Sequence, residues 1–321
     1  MIKPNDKCTI CDNQSNNKIY HVREMMFGLG DIFTYFECSN CGCLQIAEIP
    51  KNMCKYYPNN YYSFLNPSNY LENPLIKFSK RFRNFYAVFG KGLIGKLLFN
   101  IAPNLGLQSL NRTNITKASN ILDVGCGSGI LLSALKNLGF DNLLGIDPYI
   151  NNDIKYDNGL TIFKKSIFDI DDQFDLIMFH HCFEHISNPY ETLKSVSKLL
   201  NKDGLCLIRI PIVSSYAWKF YKNNWVQLDA PRHFFLFSIE SIKLLAEKTG
   251  FEIVDILYDS TEFQFTGSEL YYKNLPLVPS INFSKFIFTP AEIKNFNNKA
   301  KELNKLKQGD QVAIYLKKSI S

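Results

Sequence analysis

Apolar residues follow three regimes along the chain. From residue 119 onward, short apolar runs alternate with stretches of helical spacing. NILDV (120 to 124), NLLGI (142 to 146), LTIFK (160 to 164), DLIMFH (175 to 180) and LCLIRI (205 to 210) predict strands, and FEIVDILY (251 to 258) and QVAIYLKK (311 to 318) predict two more. ILLSALKNL (130 to 138) and YETLKSVSKLL (190 to 200) predict helices between them. Short apolar strands alternating with helices make an α/β fold with a parallel sheet covered on both faces. Residues 71 to 118 read as helix, because Leu75, Phe78, Phe82, Phe85, Tyr86, Phe89, Leu93, Leu97 and Leu98 return at helical spacing with basic residues between them. Residues 1 to 70 keep neither period, and YYPNNYYSF (56 to 64) is too rich in Asn and Pro for helix. The expected units are therefore 1–70, 71–118 and 119–321.

With 46% hydrophobic and 21% charged residues, the chain can bury one full core and a small satellite. No run approaches the roughly 18 apolar residues of a membrane span, and MIKPNDKCTICDNQ has no signal-peptide core, so a cytoplasmic location is expected. Charge is unevenly spread. Residues 1 to 60 carry six basic and six acidic side chains, whereas residues 73 to 122 carry eight basic and none acidic, more than the whole net charge of +6. Any anionic partner, including a membrane surface in weak peripheral contact with the basic helix 75–98, should meet the protein there.

Four of the nine cysteines form two pairs, Cys8/Cys11 and Cys38/Cys41, in a C-x2-C, x26, C-x2-C pattern. In a reducing compartment this spacing predicts one closed tetrahedral zinc site of four thiolates, a zinc ribbon with a structural role. Cys43 and Cys54 are left over.

The strand ILDV runs into Gly125-Cys126-Gly127-Ser128-Gly129, and a helix begins at Ile130. Glycines at this bend let the backbone approach a ligand closely. The next strand ends in Asp147, followed by Pro148, where a carboxylate can accept both hydroxyls of a ribose. An acidic Asp123 ahead of the glycines would repel a pyrophosphate but suits a ligand bearing ammonium and sulfonium groups. ILDVGCGSG and GIDP (145 to 148) resemble the first two motifs of class I S-adenosylmethionine (SAM)-dependent methyltransferases. The resemblance implies a Rossmann-like, seven-stranded sheet, with the glycines along the methionyl part of SAM and Asp147 on its ribose. It also implies adenine contacts from Lys165, Ser166 and Ile167, and Phe179 and His180 facing the cofactor.

FHHCFEHISNP (179 to 189) holds three of the five histidines. His181, Glu184 and His185 are spaced to share one face of a helical turn, which suits a divalent metal or a general base. The EH-x-x-x-P pattern is similar to that of ubiquinone-biosynthesis O-methyltransferases, some of which hold a metal with Glu, Glu and His. This chain has His181 where they carry the first Glu, which favours a base role for His181. WVQLDAPRHFFLFS (225 to 238) places His233 near the carboxyl end of the sheet as a second candidate base, with Ser238 as N-cap of the next helix. TEFQFTGSELYYK (261 to 273) is expected either to close the acceptor pocket or to serve as ordinary packing.

A zinc ribbon, a SAM domain, YYPNNYY and DAPRHFFLFS together resemble bacterial methyltransferases of surface-polysaccharide and deoxysugar biosynthesis. That implies a glycosyl or nucleotide-sugar acceptor. An rRNA base methyltransferase is the alternative enzyme, against which the charge-neutral ribbon speaks, so no nucleic-acid partner is expected. A non-catalytic SAM-binding scaffold is the alternative of another kind.

Overall fold

The computed structural model describes residues 7–58, 73–278 and 287–319; most of YYPNNYYSF lies outside them. The N-terminal part forms an antiparallel meander, β1 (Lys18–Arg23), β2 (Ile32–Glu37) and β3 (Leu44–Ile46), with Cys8 and Cys11 in the turn ahead of β1 and Cys38 and Cys41 in the turn between β2 and β3. The helical reading of 71–118 resolves into α1 (Pro74–Phe89), α2 (Leu93–Ile101) and the single turn α3 (Leu105–Gln108). Gly90, left-handed at φ 67°, ends α1, and the chain reverses at once into α2. The two helices cross closely at Gly95, where a Cβ would stand 2.5 Å from the Phe82 carbonyl oxygen and 2.8 Å from Tyr86 Cβ.

The rest is the alternating part: β4 (Ile121–Val124), α4 (Ile130–Leu138), β5 (Leu143–Ile146), β6 (Ile154–Lys155), β7 (Thr161–Phe163), β8 (Phe174–His180), α5 (Pro189–Leu199), β9 (Leu200–Pro211) and α6 (Tyr216–Tyr221). There follow β10 (Phe235–Leu236), α7 (Ile239–Lys248), β11 (Phe251–Tyr258), α8 (Phe263–Tyr272), α9 (Pro290–Lys305) and β12 (Gln311–Lys318). Its sheet has the order β11-β12-β9-β8-β4-β5-β7-β6. Pairings from β7 to β9 are parallel, while β12 runs antiparallel between β9 and β11. The sheet therefore has eight strands rather than the expected seven. The extra one, β6, is a two-residue strand pairing antiparallel with β7, too short to leave a period in the sequence.

Successive residues of the central strands face opposite cores. Leu122, Ile177 and Ile208 enter one, which also takes in Tyr35, Phe36 and the cysteines of the meander. Ile121, Leu176 and Leu207 enter the other, roofed by α1 to α4. The meander is not an appendage. β3 pairs antiparallel with β10, so both parts of the chain share one four-stranded sheet, β1-β2-β3-β10. Ser238, the predicted N-cap of α7, accepts from the Ser241 amide and donates its hydroxyl to the Cys41 carbonyl at 2.5 Å.

Candidate active site and metal centre

β4 delivers its carboxyl end to the glycine bend. Gly125, Gly127 and Gly129 all take positive φ, and at Gly125 a Cβ would overlap Cys182 Sγ, so that position tolerates no side chain. Asp147 follows β5, and its two oxygens accept from the amides of Gly127 (2.9 Å) and Tyr149 (2.8 Å). The carboxylate is thereby held against the loop, with a lone pair on each oxygen to spare. Asp123 is 2% exposed and its Oδ1 has no hydrogen-bond partner. Burial, helped by the neighbouring Asp147, pushes its carboxyl well above the usual carboxylate range. A buried, unpartnered carboxyl beside a glycine cradle fits a ligand that brings a positive charge. Ser166 opens a short turn through a capping box with Asp169, and Ile167 is buried. His180 ends β8 with Nε2 unpartnered and its pKa held well below the usual value by burial. Phe179 packs edge-on against Phe183 in the core, and Pro148 is exposed. Cys126 Sγ lies close against the backbone of Gly145 in β5.

After β8 the geometry departs from the sequence expectation. Phe183–His185 is a single 3-10 turn, and His181 before it has φ 51°, so His181, Glu184 and His185 do not share a helical face. His181 Nε2 accepts from Arg209 Nη1 at 2.5 Å, and Arg209 is held in turn by Asp259 at 2.6 Å. The lone pair that a base needs is therefore in use at His181. Its Nδ1 lies 3.6 Å from Glu184 Oε1, longer than a hydrogen bond.

The structure instead brings Glu184, His185 and His233 together, with one ligand atom of each within 4.8 Å of the others. The rings of His185 and His233 meet edge to face at 4.7 Å. His185 Nδ1 donates to the Arg232 carbonyl at 2.8 Å and His233 Nδ1 to the Gln227 carbonyl at 2.7 Å. A carbonyl only accepts, so both Nδ1 atoms carry protons and the lone pairs lie on Nε2. Glu184 is fully buried, and neither of its oxygens has a hydrogen-bond partner. Burial pushes its carboxyl up, but the surrounding imidazoles outweigh that and hold it ionised, below its usual value. Burial foremost, with His185 beside it, pushes His233 down to about 4, so it is neutral at physiological pH. His185 is the half-exposed member of the cluster.

The meander positions this cluster. Tyr35 donates its hydroxyl to the His233 carbonyl at 2.8 Å. Arg232, 0% exposed, donates to Glu24 (3.0 Å), to Asp229 (2.6 Å) and to the Tyr56 carbonyl (3.2 Å). Losing one partner of so buried an ion pair costs about 3 to 5 kcal/mol. α8 buttresses the turn that carries Gln227, since Gly267 packs directly on Val226. This segment is thus packing beneath the cluster. Sequence reasoning missed Arg209, Asp259, Glu24 and Tyr35; the one visible signal was an arginine inside the apolar run LCLIRI.

The four cysteines converge as spaced: Cys8 Sγ lies 3.5 Å from Cys41 Sγ and Cys11 Sγ 3.4 Å from Cys38 Sγ, all within 4.8 Å of one another. Gln45 Nε2 donates to Cys8 Sγ at 2.8 Å, while its Oε1 accepts from Thr9.

A glycine bend after the first parallel strand, an acid after the second and a reversed strand next to the edge define a Rossmann-like methyltransferase fold. Residues 100–256 match a family model described as a methyltransferase domain. Among known proteins the chain is similar to the C-methyltransferase NovU of Streptomyces niveus, 28% identical over 46% of this chain and 36% of that one. It is also similar to a ribosomal protein L11 methyltransferase of Thermosipho africanus, 27% identical over 41% of this chain and 60% of that one. The chain thus spans about a third to three fifths of the length of these curated relatives. A solved cyclopropane synthase, MmaA2 of Mycobacterium tuberculosis, aligns over 77% of this chain and 99% of its own, with 14% identity and a TM-score of 0.43.

Proposed function

We propose that the protein methylates a small-molecule acceptor, a sugar hydroxyl in a nucleotide-linked or surface-polysaccharide precursor, and that His185 takes the acceptor's proton. The observation that carries the chemistry is the Glu184–His185–His233 cluster, in which Nδ1 of each imidazole is pinned by a carbonyl and Nε2 keeps its lone pair. SAM, when bound, supplies an electrophilic methyl on a sulfonium. Asp123, Gly125, Gly127, Gly129 and Asp147 would hold it. His185 Nε2 removes the hydroxyl proton as the acceptor oxygen gains the methyl, and ionised Glu184 beneath stabilises the imidazolium. His233 fixes the orientation of both. The sugar itself rests on the likeness of the DAPRHFFLFS segment, and the charge-balanced ribbon supports a small acceptor over nucleic acid.

We also assign structural zinc to Cys8, Cys11, Cys38 and Cys41. Tetrahedral zinc–thiolate bonds of about 2.3 Å separate sulfurs by roughly 3.8 Å, close to the spacings present here. A second assignment of the histidine cluster is a divalent metal, favoured by a buried carboxylate facing two imidazole lone pairs with no donor between them.

The deciding experiment supplies labelled SAM with nucleotide-sugars in one arm and rRNA in the other. Label on a sugar supports the proposal; label on rRNA overturns it, and tight SAM binding with label on neither leaves the scaffold role. A chelator that abolishes turnover while the ribbon stays folded assigns the cluster to metal.

A further inference from the structure

The hairpin of α1 and α2 presents an apolar face to solvent. Leu75 (76% exposed), Phe78 (61%), Leu93 (83%), Ile94 (62%), Leu97 (66%) and Ile101 (82%) stand out from the body. On α2 the buried side is Gly95 and Phe99, turned to α1 and the core, so the stripe Leu93–Leu97–Ile101 points away. Water-facing leucines at successive turns are unusual for a helix that is otherwise well docked, and clustered apolar exposure of this kind marks an interaction surface. Basic side chains interleave with the stripe: Lys77, Arg81, Lys91 and Lys96 are all exposed. Residues 73 to 122 contain no acid, and their eight basic charges exceed the chain's net +6, so the rest of the molecule is slightly acidic. Among the described residues no helix is long and apolar enough to cross a membrane.

We propose that this hairpin seats the protein on an anionic lipid surface, with Leu93, Leu97 and their neighbours in the interface and the lysines at the headgroups. An apolar stripe flanked by cations is the pattern that inserts shallowly while neutralising lipid charge. A second copy of the chain fits worse. A two-fold contact would bring the same cations face to face, with no acid on the patch to meet them. The inference is independent of the acceptor's identity.

The full chain is tested by co-sedimentation with phosphatidylcholine vesicles, with and without phosphatidylglycerol. Binding is expected to the anionic vesicles only. Each of Lys77→Gln, Lys91→Gln and Lys96→Gln should weaken it about fivefold. Leu93→Glu with Leu97→Glu should weaken it at least about tenfold, since both side chains would otherwise leave water on binding. Unchanged SAM affinity shows that the variants are folded. The proposal is overturned by no binding to anionic vesicles, by equal binding to neutral ones, or by a double variant that binds as well as the parent. It is also overturned if the parent chain is a dimer that the double variant splits.

Discussion

The two sides of the cleft are built in opposite ways. On the cofactor side, Asp123, the glycine bend and Asp147 come from one strand–helix–strand unit of some 25 residues, held by amide contacts such as that from Gly127 to Asp147. On the acceptor side, Glu184 and His185 are joined to the His233 segment by the Phe234 amide and the Arg232 carbonyl, and that segment is held in turn by the pairing of β10 with the meander and by Tyr35 on the His233 carbonyl. The first is a local device, closed within one short stretch of sequence. The second is an assembly, whose geometry depends on segments about 200 residues apart. Damage to the meander should thus reach the acceptor side and spare the cofactor side.

Removing zinc is the strongest test. Binding of a structural zinc contributes on the order of 10 to 16 kcal/mol to folding in isolated modules, so chelation should unfold residues 7–58 by hydrogen exchange and abolish turnover, with SAM binding retained. One zinc per chain is expected by elemental analysis. Turnover that survives loss of the ribbon would break the contrast.

Next in size is the cluster itself. His185→Ala and Glu184→Gln should each lower kcat by roughly 10² to 10⁴ with SAM affinity nearly intact, because a base acts in the transition state. His181→Ala should cost much less, since Arg209 already occupies its lone pair. The reverse order of kcat losses would return the base to His181.

Acid should act on the assembled side as well. Burial keeps His233 at about 4 in the folded state against about 6.5 unfolded, so below pH 6.5 the unfolded chain binds the proton first. Stability then falls as pH drops from 6.5 towards 4, by about 3 kcal/mol in all. Denaturant midpoints for the parent and for His233→Asn should diverge above pH 6 and converge in acid; parallel curves would mean that the imidazole titrates normally.

The smallest effect is on the local side. Asp147→Ala should weaken SAM binding by about 1.5 to 3 kcal/mol in calorimetry, the loss of a charge-assisted acceptor, without altering zinc content. Full affinity in this variant would remove Asp147 from the cofactor site.

The same contrast explains what could be read in advance. All seven expected strands are present: the five parallel ones leave short apolar runs, and β11 and β12, which pair antiparallel, are apolar enough to read as well, while the glycines follow β4 and Asp147 follows β5. The cysteines converge because their spacing encodes two tight turns. His233 was visible as a candidate, but its partners were not. Nothing in FHHCFEH shows that His181 takes a left-handed backbone and turns to Arg209, leaving the cluster to His185. Nor does composition reveal that the arginine of the DAPRH segment is spent on Glu24, 208 positions away. Such contacts follow from packing, which periodicity cannot carry.

The shared sheet has a consequence for handling in the cell. β10 is two residues long and hydrogen-bonds to β3, with the rings of Phe235 and Phe237 stacked at 5.4 Å beside it. On the proposed zinc assignment, a chain without its metal loses β3, which leaves that strand edge unpaired and those rings uncovered. Unpaired edges beside apolar surface recruit other chains. Metal starvation should therefore appear first as precipitation of newly made protein, and only second as a deficit of methylated product.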